Sequence, residues 1–543
     1  MLEKYLNKNC FIELELKDEI PEENISSGIP FINDNKITVL DIYKLVQQLK
    51  SSSVSGIFLK IKKLNIGFAR ADDIRSLLLE LKNNGKKVFI YLEDVGNIEY
   101  FISTSANKIF IPPWTTVNLL GLSFDSFFIK ELLDSLEIEP EIDGFGEYKS
   151  AADMFNRKDM SPYHKEMMLA LLDNHYNNLT SIISSERNIS APKLKKIIDN
   201  NPLNPSAAKS FKLVDEVIYE NEAVQFIENE SDNKVNFVKY NKFIRNNKYS
   251  ALIKEISRFL HGRKKYIGFI NINGMITQGS SKKGSGFVNT CGSDTACELI
   301  KQAAADKNVS GVIVRVLSPG GSALASDLIR NEIQILSEKK PVVISMSDVA
   351  ASGGYMVSVS SNKIFANSFT ITGSIGVVAG KFNFKKLLNK YGIKSEILQK
   401  GKMASIYSSN KSFTKTEKTQ FINLIKNMYD EFVKLVSIKR KLSIQDTEKA
   451  AKGRVWSGVD AKKYSLVDEI GPLSNAINEL KSISGWIDNE EVFIKEFKSK
   501  NKLSVSNLGK FTQLEIMNEY FGLYDILKSE RLYTILPYSY KIF

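Results

Sequence analysis

Histidine and cysteine are scarce in this chain, with three of each among 543 residues. Cys10, Cys291 and Cys297 have neither metal-ligand spacing nor a C-x-x-C pair, so no zinc site, redox motif or disulfide framework is expected, and they read as inert small hydrophobes. None of His164, His175 and His261 lies in a glycine-rich turn or next to a candidate serine, which leaves a Ser-His-Asp triad without sequence support. Long apolar runs are missing too: nothing approaches the ~18 residues of a spanning helix, and MLEKYLNKNCFIELEL has neither a signal-peptide core nor an anchor. The expectation is therefore a chain that does not cross a membrane. There is no arginine-aromatic platform, and the net charge of +12 is spread over a chain rich in Lys, Asn and Ile. That excess reads as background composition, and no nucleic-acid partner is expected.

What is present is an ordinary soluble composition, 43% hydrophobic and 25% charged, in a length that calls for two or more domains. An internal repeat supplies them. Moved by 255 positions, the stretch from Ile57 to Phe155 lies on the second half without a gap, and ISTSANKIF at Ile102 matches VSVSSNKIF at Val357 in six of nine positions. Further on, at a shift of 253, AAKSFKLVDEV (207–217) meets DAKKYSLVDEI (460–470). The expected organisation is an N-terminal copy over 1–240, a basic linker over 241–263, a C-terminal copy over 264–480 and an extension of unknown role over 481–543. In the linker Leu252, Ile253, Ile256, Phe259 and Leu260 recur at helical spacing, which suits packing onto its own domain, with a peripheral membrane contact as the alternative.

The reactive candidates lie in two glycine turns of the second copy. Val342–Ile344 is a β-branched run that delivers Ser352 to a turn stripped of bulk by Ala350, Ala351, Gly353 and Gly354. Upstream, a strand over Val312–Val316 enters Ser318-Pro319-Gly320-Gly321, a turn whose amides suit an oxyanion pocket. The copies differ at these positions: Ser352 falls on Asn97, Gly353 and Gly354 on Ile98 and Glu99, and Gly320 and Gly321 on Asn65 and Ile66. Conversely Lys149, in FGEYKSAADMF, falls on Ala404. Each copy has lost what the other keeps, which singles out Ser352 and Lys149 as one divided unit.

The order strand, Gly-Gly turn, helix, strand, serine turn resembles the crotonase and Clp-protease superfold, so the expected fold class is α/β, a tandem duplication of a crotonase/Clp-protease-like domain. Within it SPGGS, then SDVAASGGY, then TGSIG resembles the signal peptide peptidase A (protease IV) family over roughly residues 1–480. That resemblance implies a serine endopeptidase with Ser352 as nucleophile and Lys149, in its G-x-Y-K-S-A motif, as general base. Ser374 would orient the lysine, and the amides of Gly320 and Gly353 would form the oxyanion hole. It implies no metal or organic cofactor, cleaved signal peptides and other hydrophobic peptides as substrates, a homotetrameric ring, and membrane association that this sequence start leaves without an anchor; a cytoplasmic location is the alternative. A lysine base must be neutral, so its pKa must fall from ~10.4 to near ~7 by burial. Rival readings are a crotonase-like acyl-CoA enzyme and a non-catalytic scaffold of the same fold.

Overall fold

The computed structural model describes residues 9–23, 36–231, 234–244, 265–282, 289–486 and 492–499, and the backbone of 533–535. The helical pattern assigned to the linker, His261 and most of the 481–543 extension lie outside the described residues. In the first half the strands are β1 (Cys10–Asp18), β2 (Gly56–Leu64), β3 (Lys87–Leu92), β4 (Lys108–Ile111), β5 (Glu139–Phe145), β6 (Glu216–Val217) and β7 (Asn236–Lys239). The second half contributes β8 (Tyr266–Asn273), β9 (Met275–Thr277), β10 (Thr290–Gly292), β11 (Val309–Ser318), β12 (Gly320–Ser322), β13 (Val342–Ala351) and β14 (Lys363–Ala366). It continues with β15 (Ile371–Gly373), β16 (Val377–Asn383), β17 (Val455–Ser457), β18 (Glu469–Ile470), β19 (Ile494–Glu496) and β20 (Tyr533–Ile535).

Each copy is built on a largely parallel sheet. The first runs β6-β4-β3-β2-β1-β7 and the second β17-β15-β13-β11-β8-β19, with β14 beside β13 and β18 beside β14. Runs such as VFIYL in β3 and VIVRV in β11 are apolar at successive positions because helices cover both faces of a parallel sheet, and their residues are buried almost without exception. The duplication holds element by element. The helices Phe68–Asn83 and Ala323–Ser337, the strands β4 and β14, and the helices Lys130–Ser135 and Lys385–Lys390 all begin 255 residues apart. The long helices Pro162–Arg187 and Lys415–Arg440 begin 253 apart and start on their own caps, Ser161 before Pro162 and a Thr414/Glu417 capping box. The expected α/β class with a tandem duplication is thus what the structure shows.

Contacts between the copies are buried and polar as well as apolar. Phe369 of the second copy stacks on Phe68 and meets Phe101 edge-on, both at 5.3 Å between centroids. Arg315, in β11, is 1% exposed and donates to Glu22 Oε1 at 2.9 Å, to Asp73, and to the hydroxyls of Ser345 and Ser347 in β13. Asp348, four residues before Ser352, accepts from the backbone N–H groups of Gly67 and Arg70 and pairs with the Arg70 guanidinium. A carboxylate of the second copy therefore caps a helix of the first, where Gly67 has no side chain to do so. Buried ion clusters of this kind contribute little net stability but penalise any other arrangement of their partners, so they hold β11 and β13 in one register against the first copy.

A third, mixed sheet joins the copies: β10-β9-β12-β20-β16-β5. Here β5 of the first copy runs antiparallel to β16 of the second, from Val377 opposite Phe145 to Asn383 opposite Glu139. Glu139 pairs with Lys386 and accepts from Asn383 Nδ2 at 3.0 Å, while Asp143 pairs with Lys418. This pairing carries the end of β5, and the residues that follow it, to the turn where β13 ends. Among the described residues no helix is long and apolar enough to cross a membrane.

Candidate active site

β13 ends at Ala351, and the next residue, Ser352, holds φ +58° and ψ −114°, a conformation that non-glycine residues rarely adopt. Such strain, on the order of 1–3 kcal/mol, survives only where neighbours impose it. Here Ser352 N–H donates to the Gly373 carbonyl at 2.8 Å, and the Ser352 carbonyl accepts from Met356 N–H at 2.8 Å in the following turn of helix. The serine turn sits directly on the other glycine turn: a Cβ on Gly354 would lie 2.5 Å from the Ser318 carbonyl oxygen, so only glycine allows this contact. Gly320 has φ +103° and its N–H donates to Ser318 Oγ at 3.2 Å. Gly353 follows Ser352 as the first residue of the short helix Gly353–Ser358.

Lys149 reaches this turn from the first copy. Its Nζ lies 2.8 Å from Ser352 Oγ, 3.0 Å from Ser374 Oγ and 3.0 Å from the Ser374 carbonyl. Lys149 is 4% exposed, and burial pulls its pKa down to about 7. Ser374 is held in the left-handed region at φ +51°, with its N–H on the Arg454 carbonyl at 2.7 Å. Ser352, Lys149 and Ser374 therefore share one buried hydrogen-bonded group, with Gly320 and Gly353 on the two turns that meet at Ser352.

Two glycines make room for the lysine: Gly376, the last residue of TGSIG, and Gly453, which belongs to no motif. A Cβ at Gly453 would lie 2.5 Å from Lys149 Cβ, and one at Gly376 would lie 3.1 Å from its Cδ. The loop before Lys149 is tied to the same segment of the second copy: Tyr148 N–H donates to the Lys452 carbonyl at 2.9 Å. Lys452 pairs with Glu147 at 3.1 Å, and Arg454 pairs with Glu166 at 2.6 Å while lying over the Tyr148 ring. The available signal was the glycine in AKGRVWSG, which no repeat position or motif marks.

Neither described histidine bonds to Ser352. His164 is fully buried beside the Phe124 and Phe128 rings, and His175 rests against Phe369 with its pKa pulled down to about 4 by burial. None of the three cysteines is in a disulfide; Cys10 and Cys291 are buried and Cys297 is half-buried.

The model of peptidase family S49 matches residues 80–234 and again 334–486, once in each copy. The chain belongs to peptidase family S49. Serine protease SPPA, chloroplastic, of Arabidopsis thaliana is 30% identical over 504 residues, covering 90% of this chain and 72% of that relative. Protease 4 of Haemophilus influenzae is 30% identical over 500 residues, covering 89% and 78% of the two chains. Protease 4 of Salmonella typhi is 31% identical over 473 residues, covering 83% and 73%. This S49 protein is accordingly a serine peptidase, a hydrolase, and the acyl-CoA and scaffold readings fall away. Its strained Ser352, where two glycine turns touch, lies within the second family match, and Lys149 lies within the first.

Proposed function

We propose that this serine peptidase works by a Ser-Lys dyad split between the copies, with Ser352 as nucleophile, Lys149 as general base and Ser374 orienting the amine. The observation that carries the reading is the 2.8 Å contact of Lys149 Nζ with Ser352 Oγ inside a buried group. A lysine with a pKa near 7 is about half neutral at neutral pH and can accept the serine proton as Oγ attacks a peptide carbonyl. The resulting ammonium returns that proton to the leaving amine. Water, deprotonated by the same lysine, then hydrolyses the acyl-enzyme. The tetrahedral oxyanion would take the amides of Gly320 and Gly353, the former exchanging its long bond to Ser318 Oγ; each such donor is worth roughly 3 kcal/mol in comparable acyl transfer.

The proposed substrates are cleaved signal peptides and other apolar, unstructured peptides. β20 of the chain itself runs antiparallel to β12, with Gly320 opposite Ile535, and meets β16 at Val378, so this edge accepts an extended backbone. Apolar side chains from both copies, Met167, Leu171, Ala351, Ile371 and Val455, cluster at the end of β13, next to Ser352. A tetrameric ring and a peripheral membrane contact belong to the same reading on the strength of the family resemblance. The test is a fluorophosphonate probe with a peptide library. Labelling at Ser352, lost in Lys149→Ala, with cleavage of apolar peptides and not of folded proteins, is expected. A preference for charged side chains on both sides of the scissile bond would overturn the substrate class and leave the dyad standing.

A further inference from the structure

Residues 451–455 of the second copy lie against both Lys149 and Ser374. On one side Gly453 touches Lys149, and the Lys452 carbonyl accepts from Tyr148 N–H at 2.9 Å. On the other, the Arg454 carbonyl accepts from Ser374 N–H at 2.7 Å, and Val455 pairs with Gly373. The Arg454 side chain reaches the first copy. Its guanidinium lies 4.7 Å from the Tyr148 ring centroid and 4.7 Å from that of Trp456, and it donates to Glu166 Oε1 at 2.6 Å. Tyr148 donates its hydroxyl to the same carboxylate at 3.2 Å. Trp456 is a fixed wall, buried and with its indole N–H on the Ala450 carbonyl at 2.8 Å. Arg454 Nε is buried with no acceptor among the described residues, so the two rings, rather than a full set of hydrogen bonds, hold this cation.

The repeat supplies an independent observation. At the 253 offset that the helices Pro205–Ser210 and Gly458–Lys463 keep, Arg454 and Trp456 fall on Asn201 and Leu203, and at the 255 offset Tyr148 falls on Met403. The helix caps beside them, Asn204 and Ser457, survive in both copies. The cluster is therefore divided as Ser352 and Lys149 are, its cation with the serine and its tyrosine with the lysine, and neither copy keeps a second set.

We infer that Arg454 is a positioning residue for the peptidase reaction: its side chain clamps Tyr148 against Trp456 while its carbonyl holds Ser374, and together these keep Lys149 Nζ within reach of Ser352 Oγ and closed off from water. The inference rests on the proposed Ser-Lys dyad. β5 ends at Phe145, and Lys149 precedes a single 3-10 turn, Ser150–Ala152, with its own N–H on the nearby Gly146 carbonyl at 2.9 Å. No ladder holds residues 146–149, so the amine goes where the packing on Tyr148 sends it. Charge is the smaller part of the clamp, because Glu166 is half exposed and such pairs contribute little. The flat guanidinium is what suits two rings, and an ammonium does not reproduce it. Asp143, Glu147 and Glu166 pair with Lys418, Lys452 and Arg454, and Asp153 lies 3.6 Å from His164 Nδ1. None of these carboxylates bonds to the amine, so loosening the clamp acts on Lys149 by admitting water.

Phosphonylation of Ser352 by a fluorophosphonate in full-length variants, followed by intact mass from pH 5 to 9 with thermal unfolding alongside, tests it. Arg454→Ala should label about thirtyfold more slowly than wild type at pH 7 but within about fivefold at pH 9, because a lysine that water reaches titrates closer to its ordinary pKa. Arg454→Lys, which keeps the charge and loses the plane, should label about tenfold more slowly at pH 7. Tyr148→Ala should match Arg454→Ala, Tyr148→Phe should recover about tenfold of that loss by restoring the ring, and the two alanines together should cost no more than either, as coupled partners do. A folded Arg454→Lys with the wild-type rate and pH midpoint, a slowing of Arg454→Ala that is equal at pH 7 and pH 9, or additive losses in the double variant would each overturn the inference while Lys149→Ala still labels slowly. A Lys149→Ala chain that labels like wild type would instead bring down the dyad, and the role of Arg454 with it.

Discussion

Where the second copy carries Ser352, the first carries Asn97, whose amide donates to the Gly121 carbonyl at 2.7 Å. Where the first carries Lys149, the second carries Ala404 on an exposed loop. The parallel core strands and several flanking helices correspond in both copies, while the equivalents of β5, β12 and β16 in the other copy are not strands. At the site, what separates the copies is the reciprocal loss of the serine with its glycine turns and of the lysine. A fold duplicated within one chain can abandon half of each site, provided that the two retained halves face each other, and β5 on β16 keeps them facing. The structural load is shared differently: the first copy supplies Glu22, Asp73 and the helix capped by Asp348, which hold the strands bearing the second copy's turns.

The sharpest way to break this comparison is to make the copies alike at the site. Ser352→Ala and Lys149→Ala should each lower kcat/KM by at least about a thousandfold without unfolding the chain, and their combination should cost little more, because nucleophile and base act as one unit. Lys149→Arg should fare no better, since a guanidinium stays charged and cannot accept the proton. Steady-state cleavage of an apolar peptide, with circular dichroism as the folding check, measures both.

Stability should respond in the opposite sense. The folded pKa of Lys149, about 7, lies below its ordinary value of 10.5, so between these values the unfolded chain holds a proton that the folded chain lacks. Stability from this group therefore rises with pH across that window, and its penalty is fully present below pH ~7, on the order of several kcal/mol. Lys149→Met should raise the unfolding midpoint at pH 6 and lose that advantage toward pH 10. Thermal unfolding at the two pH values decides it: a variant less stable than wild type at pH 6 would contradict the buried, uncompensated lysine.

A smaller effect is expected at Ser374, whose hydroxyl holds Nζ at 3.0 Å. Ser374→Ala should reduce kcat by about tenfold to a hundredfold, one charge-assisted hydrogen bond of ~1.5–3 kcal/mol, and move the pH midpoint as well. The smallest effect belongs to the histidines. His175→Leu and His164→Phe should leave kcat/KM within about threefold in protein that remains folded. Loss of the acylation step in either would restore a histidine base.

Much of this was legible because a duplication is its own control. Asn97 against Ser352 and Lys149 against Ala404 mark the proposed dyad by reciprocal loss, and the β-branched runs of β3 and β13 mark the sheets by composition. What stayed hidden depends on contacts far apart in sequence. Asp348 as the cap of a helix 281 residues upstream, and Arg315 as the hub between Glu22 and β13, follow from no periodicity, because each is the single charged residue of its strand. Gly453 was silent for a similar reason: its role is the room it leaves for a side chain of the other copy. The pairing of β5 with β16 was invisible too, since a register between copies leaves no trace at either strand alone.

The central claim is that the first copy's Lys149, in its neutral form, deprotonates the second copy's Ser352. Its most direct test is the rate of Ser352 phosphonylation by a fluorophosphonate from pH 5 to 9, followed by intact mass, in wild type and Lys149→Ala. The expected wild-type rate rises with pH through a single ionisation near 7 and levels off above it, while Lys149→Ala labels at least about a hundredfold more slowly across the range. A wild-type rate that is flat from pH 5 to 9, or a Lys149→Ala chain that labels as fast as wild type, would contradict it.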